Sequence, residues 1–333
     1  MIISRTPYRI SFFGGGSDYP EWYLKNSGEV IAATINKYVY ISCRDLPPFF
    51  KHKYRIVYSK IEQVKDLRSI NHKAIREALL LFNKNIKSNL GLEIHYDGDL
   101  PSKSGVASSS AFVVGLLNLL NTFFLKKSIS KNNLTLKSLF LEQKILKETV
   151  GSQDQTITSY GGFNSIKFLR SGEIKVAPII KKSKVLKDLS SRLFLVFTGI
   201  KRTANYIART YVEKLDNTKR SYILEILQHV KLAKIFLSNN NFDDFGLLLN
   251  ETWKVKRSLS ASVSSYKIDS IYNKGINNGA IGGKLLGAGG GGFFLFYVPK
   301  DKQTFFIKNM KNFIVIPVEF ENCGSKIIFS TEN

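Results

Sequence analysis

A loop of small residues that opens directly into a long apolar segment constrains the fold of this chain more than any other stretch. The loop runs from Asp99 to Ala111 and includes three consecutive serines, 108–110, and the apolar run follows from Phe112 to Leu125. The run is typical of a buried helix, and an alternating strand candidate, Leu92 to Asp97, precedes the loop. A helix that starts in such a loop presents free backbone N–H groups and the positive end of its dipole. Two interpretations are open: an anion-binding loop, or serines that only cap a structural helix.

The length and the hydropathy pattern favour a two-domain fold. A chain of 333 residues with 44% hydrophobic residues can bury a full core, and this length more often makes two domains than one. Strand-like and helical segments both occur along the chain, so the pattern predicts an α/β or α+β fold. The sequence Lys181-Lys182-Ser183-Lys184 interrupts the apolar pattern. We therefore predict domains over residues 1–180 and 181–333.

The balance of charges is strongly basic. There are 49 Lys and Arg against 26 Asp and Glu, a formal net charge of +23. Nucleic-acid binding would explain such a charge, but the lysines are scattered through helical segments, and the chain has no aromatic-interleaved basic motif or zinc finger. We therefore expect a solvated basic surface and no specific nucleic-acid partner. Its field would favour small polyanions such as ATP or a sugar phosphate.

Neither membrane insertion nor a metal framework is indicated. No stretch of 18 uncharged apolar residues is present, and the first residues lead straight into strand-like sequence. We expect a cytoplasmic protein with no membrane partner. Cys43 and Cys323 are far apart and lack Cys-x-x-Cys or histidine spacing, so neither a disulfide framework nor a zinc site is predicted.

A second loop, near the N-terminus, has the composition of a ligand pocket. Three consecutive glycines, 14–16, let the backbone approach a ligand closely. Asp18 follows them as an acceptor suited to sugar hydroxyls, and Arg9 lies upstream on a strand candidate. A plain turn is the alternative, although a turn needs only one or two glycines. A third loop, residues 279–292, contains eight glycines among fourteen residues and must therefore lie close to something.

Two acidic residues are candidates for chemistry, although each also has an ordinary explanation. Glu142 lies among apolar neighbours in a helix predicted over residues 134–150, and most such glutamates are surface residues. Asp154 follows in Gly151-Ser152-Gln153-Asp154-Gln155, where a turn-forming aspartate would be usual. The residues alone leave both choices open.

Taken together and in this order, the three loops resemble those of the GHMP small-molecule kinases. The N-terminal block is residues 5–18, and the C-terminal block runs from Lys284 to Gly292. Between them, Pro101 to Ser110 is similar to the family's Pro-x-x-x-Gly-Leu-Gly-Ser-Ser pattern, with Val106 and Ala107 as conservative changes. Because these matches span nearly the whole chain, they are more specific than one glycine loop.

Further residues resemble one branch of that family, the D-glycero-D-manno-heptose 7-phosphate kinases, with the kinase part of L-fucokinase next. They are Gln153-Asp154-Gln155 and the segment from Trp253 to Ser260. The resemblance implies an α+β fold with a ribosomal-protein-S5-like N-terminal domain and a ferredoxin-like C-terminal domain. It also implies an ATP- and Mg²⁺-dependent kinase, monomeric or homodimeric, that acts on a small sugar phosphate in the cleft between the domains.

The resemblance also implies roles for individual residues. Asp154 would be the catalytic base, and Ser109 and Glu142 would hold Mg²⁺. The ATP phosphates would be bound by Pro101, Ser104, Gly105, Val106, Ala107, Ser108, Ser109 and Ser110. The sugar would be bound by Arg9, Gly14, Gly15, Gly16, Ser17, Asp18, Gly289 and Gly290. Cations for a distal phosphate would come from Arg202, Lys254 and Arg257; the ordinary alternative is that they are solvated helical residues.

The expected reaction is phosphorylation of the anomeric hydroxyl of D-glycero-D-manno-heptose 7-phosphate, for surface-glycan synthesis. An L-fucose or other free-sugar 1-kinase of the same family is the first alternative. A nucleic-acid-binding or catalytically inactive regulatory protein is the alternative from a different class.

Overall fold

The structure is a computed structural model, and it describes residues 1–86, 91–200 and 204–331. Within these residues the strands form one eight-stranded and one four-stranded sheet. The strands are β1 Ile2–Phe13, β2 Gly28–Leu46, β3 Tyr54–Val57, β4 Ile61–Val64, β5 Gly91–Gly98, β6 Phe163–Phe168, β7 Ile174–Pro178, β8 Leu193–Phe197, β9 Gly282–Leu285, β10 Phe293–Tyr297, β11 Val315–Pro317 and β12 Lys326–Ser330. The α-helices are α1 Pro20–Asn26, α2 Lys73–Leu81, α3 Ser108–Leu125, α4 Lys131–Leu139, α5 Gln153–Tyr160, α6 Ser183–Ser190, α7 Ala204–Arg209, α8 Arg220–Ser238, α9 Phe242–Arg257, α10 Tyr266–Asn277 and α11 Gln303–Asn309.

The larger sheet has β1 and β2 near its centre. Its order is β12-β1-β2-β5-β3-β4, and β6 pairs with β2 while β7 pairs with β6. Strand β1 continues past Pro7 with a register shift between Pro7 and Arg9. The strand β2 is a single element of 19 residues that pairs with β1, β5 and β6. These two strands therefore carry the N-terminal loop into the centre of the molecule.

Helix α3 is the central helix of the N-terminal half, as the apolar run predicts. It is long and apolar enough to cross a membrane by length and composition alone, but 78% of it is buried inside the protein. Leu116, Leu117 and Leu120 are among the residues that it contributes to the main hydrophobic cluster. Burial of this kind marks α3 as a core helix that fixes the position of the loop before it.

The second sheet has the antiparallel order β11-β8-β10-β9. Together with the larger sheet it confirms the predicted two-domain α+β architecture. The final strand, β12, lies apart from this sheet and pairs with β1. The C-terminal end of the described chain therefore belongs to the N-terminal sheet, a long-range pairing that local sequence does not reveal. The predicted domain boundary near residue 180 stays a prediction.

The helix predicted over residues 134–150 divides into two parts. The α-helix α4 ends at Leu139, and a π-helical segment, Phe140–Ile145, continues from it. Such segments are rare and occur often at functional sites. Here the segment carries Glu142 into the interior, where the carboxyl group is fully buried.

Candidate active site

The loop before α3 has a conformation that few sequences can adopt. Lys103, Gly105 and Ala107 all have positive φ angles, of 60°, 81° and 66°. The last of them leads into α3, whose first-turn N–H groups have no acceptor within the helix. The backbone N–H of Arg9 donates to the carbonyl of Val106 over 3.1 Å, which ties the loop to β1. The loop is thus held with free donors at the helix N-terminus, as an anion site requires.

The C-terminal glycine loop, residues 279–292, packs directly on the loop before α3, residues 99–107, which is named the phosphate loop. A Cβ atom at Gly105 would lie 2.6 Å from the carbonyl oxygen of Leu286, and one at Gly292 would lie 2.1 Å from that of Ser104. The N–H of Phe293 also donates to Ser104 over 3.1 Å. The glycines therefore allow two loops from different halves of the chain to interlock, which explains why so many are needed.

Arg9 and Asp154 form a bidentate ion pair beside the phosphate loop. Arg9 donates from Nε and Nη2 to the two carboxylate oxygens of Asp154, each over 2.7 Å, and from Nη1 to the carbonyl of Gly105 over 2.7 Å. The Arg9 side chain is 3% exposed and that of Asp154 is 23% exposed. The geometry orients one carboxylate toward a partly open space, with a fixed cation behind it. The observed contacts make Arg9 a positioning group for Asp154, and its predicted contact with the sugar stays a prediction.

Asp18 lies close to this pair and is almost completely buried. It accepts from the backbone N–H of Gly16 over 3.0 Å and from that of Gln153 over 3.3 Å. Burial, and secondarily the charge of Asp154, raises the pKa of Asp18 to about 6. Two carboxyl groups therefore face one region, and a Cβ atom at Gly151 would collide with Asp18.

The three N-terminal glycines have different surroundings. Added Cβ atoms would lie 2.0 Å from the carbonyl oxygen of Glu29 at Gly14, and 2.8 Å from Ile223 at Gly16. At Gly15 the nearest atom would be 3.8 Å away, so Gly15 borders open space. The buried hydroxyl of Ser17 donates to the carbonyl of Gly14 over 2.8 Å and so closes the loop on itself. Only Gly15 of this group presents its free side to the site.

Glu142 lies under the start of α3 and has no cationic partner among the described residues. It accepts from Ser110 Oγ at 2.9 Å and from Ser109 Oγ at 3.4 Å, and it also accepts from Gln155 Nε2. Burial, above all, raises the pKa of Glu142 to about 8. An isolated buried carboxylate next to a hydroxyl group at a phosphate loop fits a divalent cation, which would supply the missing positive charge.

This set of donors fits Mg²⁺ better than a metal held by protein alone. In the described part of the chain, no group of three or more His, Cys, Asp or Glu could hold an ion. Mg²⁺ commonly takes one or two carboxylates and completes its octahedron with water and substrate phosphates. Glu142 and Ser109 would hold it, and it would neutralise charge on the transferring phosphate.

Lys284 is a buried residue of the site. It begins the C-terminal block that runs to Gly292, but the sequence alone predicts no role for it. It lies on β9 and is 4% exposed, and its Nζ donates to the carbonyl of Phe12 over 2.6 Å. Burial, and secondarily the positive charge of Arg9, lowers its pKa to about 7, while Asp18 opposes the shift. The position of one lysine within the short apolar strand Gly282–Leu285 could have identified it from the sequence, because lysine is almost never fully buried unless it has a partner.

Two of the three residues predicted for a distal phosphate form ion pairs with acidic residues of α9 and α10. Lys254 pairs with Glu251 at 2.9 Å and Arg257 pairs with Asp269 at 3.2 Å, both in exposed positions. Arg202 lies outside the described residues. All three assignments stay predictions.

The two glycines predicted for the sugar, Gly289 and Gly290, pack on Val263. The N–H of Gly290 donates to the Val263 carbonyl over 2.7 Å, and a Cβ atom at Gly289 would lie 2.8 Å from Val263. Packing of the chain on itself accounts for both glycines, and their contact with the sugar stays a prediction. Cys43 and Cys323 are free thiols.

Family models match both halves of the chain. Residues 73–162 match the GHMP kinases N terminal domain, and residues 232–315 match the GHMP kinases C terminal domain. The first match contains the phosphate loop, Glu142 and Asp154, and the second contains Lys284 and the C-terminal glycine loop. The chain belongs to the GHMP kinase family.

Individual relatives define the class of substrate more closely. The D-glycero-alpha-D-manno-heptose 7-phosphate kinase of Campylobacter jejuni is 30% identical over 321 residues, which cover 93% of each chain. The bifunctional fucokinase/GDP-fucose pyrophosphorylase of Arabidopsis thaliana is 28% identical over 89% of this chain, which corresponds to 30% of that protein. Among solved structures, a D-glycero-D-manno-heptose 1-phosphate kinase from Bacteroides thetaiotaomicron has a TM-score of 0.79 at 22% identity, covering 99% of this chain and 100% of that one. The chain is a sugar kinase of the GHMP family, and ATP as phosphoryl donor follows from that family.

Proposed function

We propose that this protein transfers the γ-phosphate of ATP to the anomeric hydroxyl of D-glycero-D-manno-heptose 7-phosphate, giving the 1,7-bisphosphate. The observation that carries the proposal is the Arg9–Asp154 pair, fixed against the Gly105 carbonyl at the edge of the phosphate loop. The similarity to a heptose 7-phosphate kinase over 93% of both chains supports the choice of sugar.

Each group of residues in the site would have its own role in phosphoryl transfer. Backbone N–H groups from Gly105 to Ser110 would bind the ATP phosphates, and Asp154 would accept the proton of the attacking hydroxyl. Arg9 holds that carboxylate in one orientation, so the hydroxyl meets the base in a fixed geometry. Asp18 would accept a hydrogen bond from another sugar hydroxyl. Such a site acts mainly by positioning and charge neutralisation.

A cation that is free to bind a phosphate on the sugar lies at the edge of this site. Arg209 is exposed and ends α7, and its Nε donates to Thr149 Oγ1 over 3.4 Å. Thr149 is three residues before Ser152, whose N–H donates to the Asp18 carbonyl over 2.8 Å. Among the described residues Arg209 forms no ion pair with an acid, unlike Lys254 and Arg257. We assign it to the distal phosphate, because an unpaired guanidinium suits a phosphate group.

A transfer assay with free and phosphorylated sugars tests the proposal. Wild-type protein, ATP and Mg²⁺ are incubated with heptose 7-phosphate, free heptose, L-fucose and galactose, and NMR of the product identifies the phosphorylated hydroxyl. We expect turnover with heptose 7-phosphate and a new phosphate at C1. Faster turnover of a free sugar would replace the proposed substrate by that sugar.

A pair of arginine variants tests the phosphate contact within the same assay. Arg209→Ala should raise the KM for heptose 7-phosphate at least about tenfold, since one charge-assisted contact is lost, and should leave turnover of any free sugar unchanged. Arg68→Ala is the matched control, because Arg68 is an exposed arginine in the short 3-10 turn Leu67–Ser69 and is not assigned to the site. Equal KM values for the wild type and Arg209→Ala would remove Arg209 from the phosphate site.

The other parts of the proposal follow from the donor and the acceptor. Since ATP is the donor, we place the reaction in the cytoplasm, where it would feed the synthesis of nucleotide-activated heptose for surface glycans. The partner is a small sugar phosphate, and the protein would act as a monomer or homodimer. An L-fucose 1-kinase is the second candidate, favoured by the fucokinase similarity over 89% of this chain.

A further inference from the structure

The amide group of Gln153 is a buried polar group that neither the fold nor the proposed chemistry uses. Its side-chain oxygen is buried and has no hydrogen-bond partner among the described residues, and the residue is 9% exposed. The backbone of Gln153 is already engaged, since its N–H donates to Asp18. Native proteins rarely leave a buried amide oxygen unpaired, because its lost hydration is then not compensated.

The position of this amide group directs it to the substrate pocket. Gln153 is the first residue of α5 and directly precedes Asp154. A Cβ atom at Gly15 would lie 3.8 Å from Gln153 Nε2 and 3.9 Å from Ser11 Oγ, with nothing nearer. The open space above Gly15 is therefore bordered by an amide and a hydroxyl group, next to the ion-paired carboxylate of Asp154.

The neighbouring glutamine, Gln155, has a different environment. Its Nε2 donates to the carboxylate of Glu142, so one end of that amide is fixed by the candidate metal ligand. The Oε1 atoms of Gln153 and Gln155 are both buried without a hydrogen-bond partner among the described residues, so the two glutamines differ in where the amide group lies. Of the two glutamines that flank Asp154, only Gln153 has an amide group placed at the Gly15 opening.

We infer that Gln153 is a specificity-determining residue that binds the sugar hydroxyl adjacent to the one that Asp154 activates. An amide both accepts through oxygen and donates through nitrogen, so it can pair with one hydroxyl in both directions or with two neighbouring ones. For a 1-kinase the adjacent group is the 2-hydroxyl. Sugars that lack it would leave the buried amide unpaired and would be rejected. This inference rests on the proposed function.

The test combines a residue change with a change in the sugar. Gln153→Met keeps the length of the side chain and removes its polar atoms, and Gln63→Met is the matched control at an exposed position on β4. Each protein is assayed with heptose 7-phosphate and with its 2-deoxy form. We expect Gln153→Met to lower kcat/KM for the parent sugar about 30-fold and for the 2-deoxy sugar less than about threefold.

Several results would overturn the inference. Equal losses on both sugars would show a structural role, and no loss on either would show no role. If Gln153→Met unfolds at a lower urea concentration than wild type, Gln153→Leu, which also lacks polar side-chain atoms, is assayed in the same way with the same expectation.

The activities of the wild-type protein alone test the proposed function. If wild type prefers another sugar, the proposed substrate is wrong, and the Gln153 comparison is made with that sugar and its form lacking the adjacent hydroxyl. If wild type phosphorylates no sugar in the panel, the inference about Gln153 is also refuted.

Discussion

Lys284 makes the stability of this protein depend on pH in a way that one substitution should remove. Its ammonium group is almost completely buried, and its one observed hydrogen bond is to the carbonyl of Phe12. Burial, followed by the positive charge of Arg9, lowers its pKa to about 7, from 10.5 in an exposed lysine. The folded protein therefore releases this proton at a lower pH than the unfolded chain does.

The sign and the size of the effect follow from proton linkage. Between pH 7 and pH 10.5 the unfolded chain binds one proton more at this residue, so the free energy of unfolding rises with pH by about 1.4 kcal/mol per pH unit. Below pH 7 both states are protonated and the contribution is constant. From pH 7.5 to 9.5 Lys284 should add about 2 to 3 kcal/mol. Lys284→Met has no titrating group and should lack this increase.

Urea unfolding measures the difference directly. Trp22 and Trp253 are fully buried, so tryptophan fluorescence follows unfolding in wild type, in Lys284→Met and in Lys311→Met, the control at an exposed lysine. The difference in unfolding free energy between wild type and Lys284→Met should rise at each step from pH 7.5 through 8.5 to 9.5. Parallel curves, or a difference that falls with pH, would refute the assignment of a proton equilibrium to Lys284.

Two further predictions concern the acidic residues of the site. Asp154→Asn should still fold and lose most turnover, although its urea midpoint should fall, because the buried Arg9 guanidinium loses its carboxylate partner; a turnover loss smaller than about tenfold would show that Asp154 is not the base. Glu142→Gln should abolish the dependence of turnover on Mg²⁺ concentration together with most activity. Because the pKa of Glu142 is raised to about 8, the metal-free wild type should lose more stability than Glu142→Gln as the pH rises from about 4.5 to 8; equal pH profiles of the two proteins in EDTA would contradict this.

Local sequence was sufficient where one segment defines its own structure. The strand β5, the apolar helix α3 and the loop between them were predicted because periodicity and small residues act within a few positions. The pairing of β1 with β12 could not be predicted, since nothing near residue 326 specifies a partner more than 300 residues away. The end of α4 was also not predicted, because the apolar spacing of this segment does not distinguish an α-helix from the π-helical turn Phe140–Ile145.

In the candidate site, too, residue types were predictable from the sequence and contacts between distant residues were not. Asp154 and Glu142 were selected through a family resemblance, and their residue types alone left ordinary explanations open. Their partners were not identifiable: the hydrogen bonds from the Arg9 guanidinium to Asp154 were not predicted, and the assignment of Arg9 to the sugar stays a prediction. Lys284 and Gln153 were quoted within motifs without a role. Convergence of side chains from distant strands is a property of tertiary packing, and a single sequence does not display it.

The pairing of β12 with β1 also has a consequence for synthesis on the ribosome. Chains emerge N-terminus first, and domains usually fold as they appear. In this protein the outer edge of β1 over Ile2–Arg5 has no strand to hydrogen-bond with until residues 326–330 have been made. An open edge of this kind is prone to pair with other chains. The nascent N-terminal half should therefore depend on chaperones until translation is nearly complete.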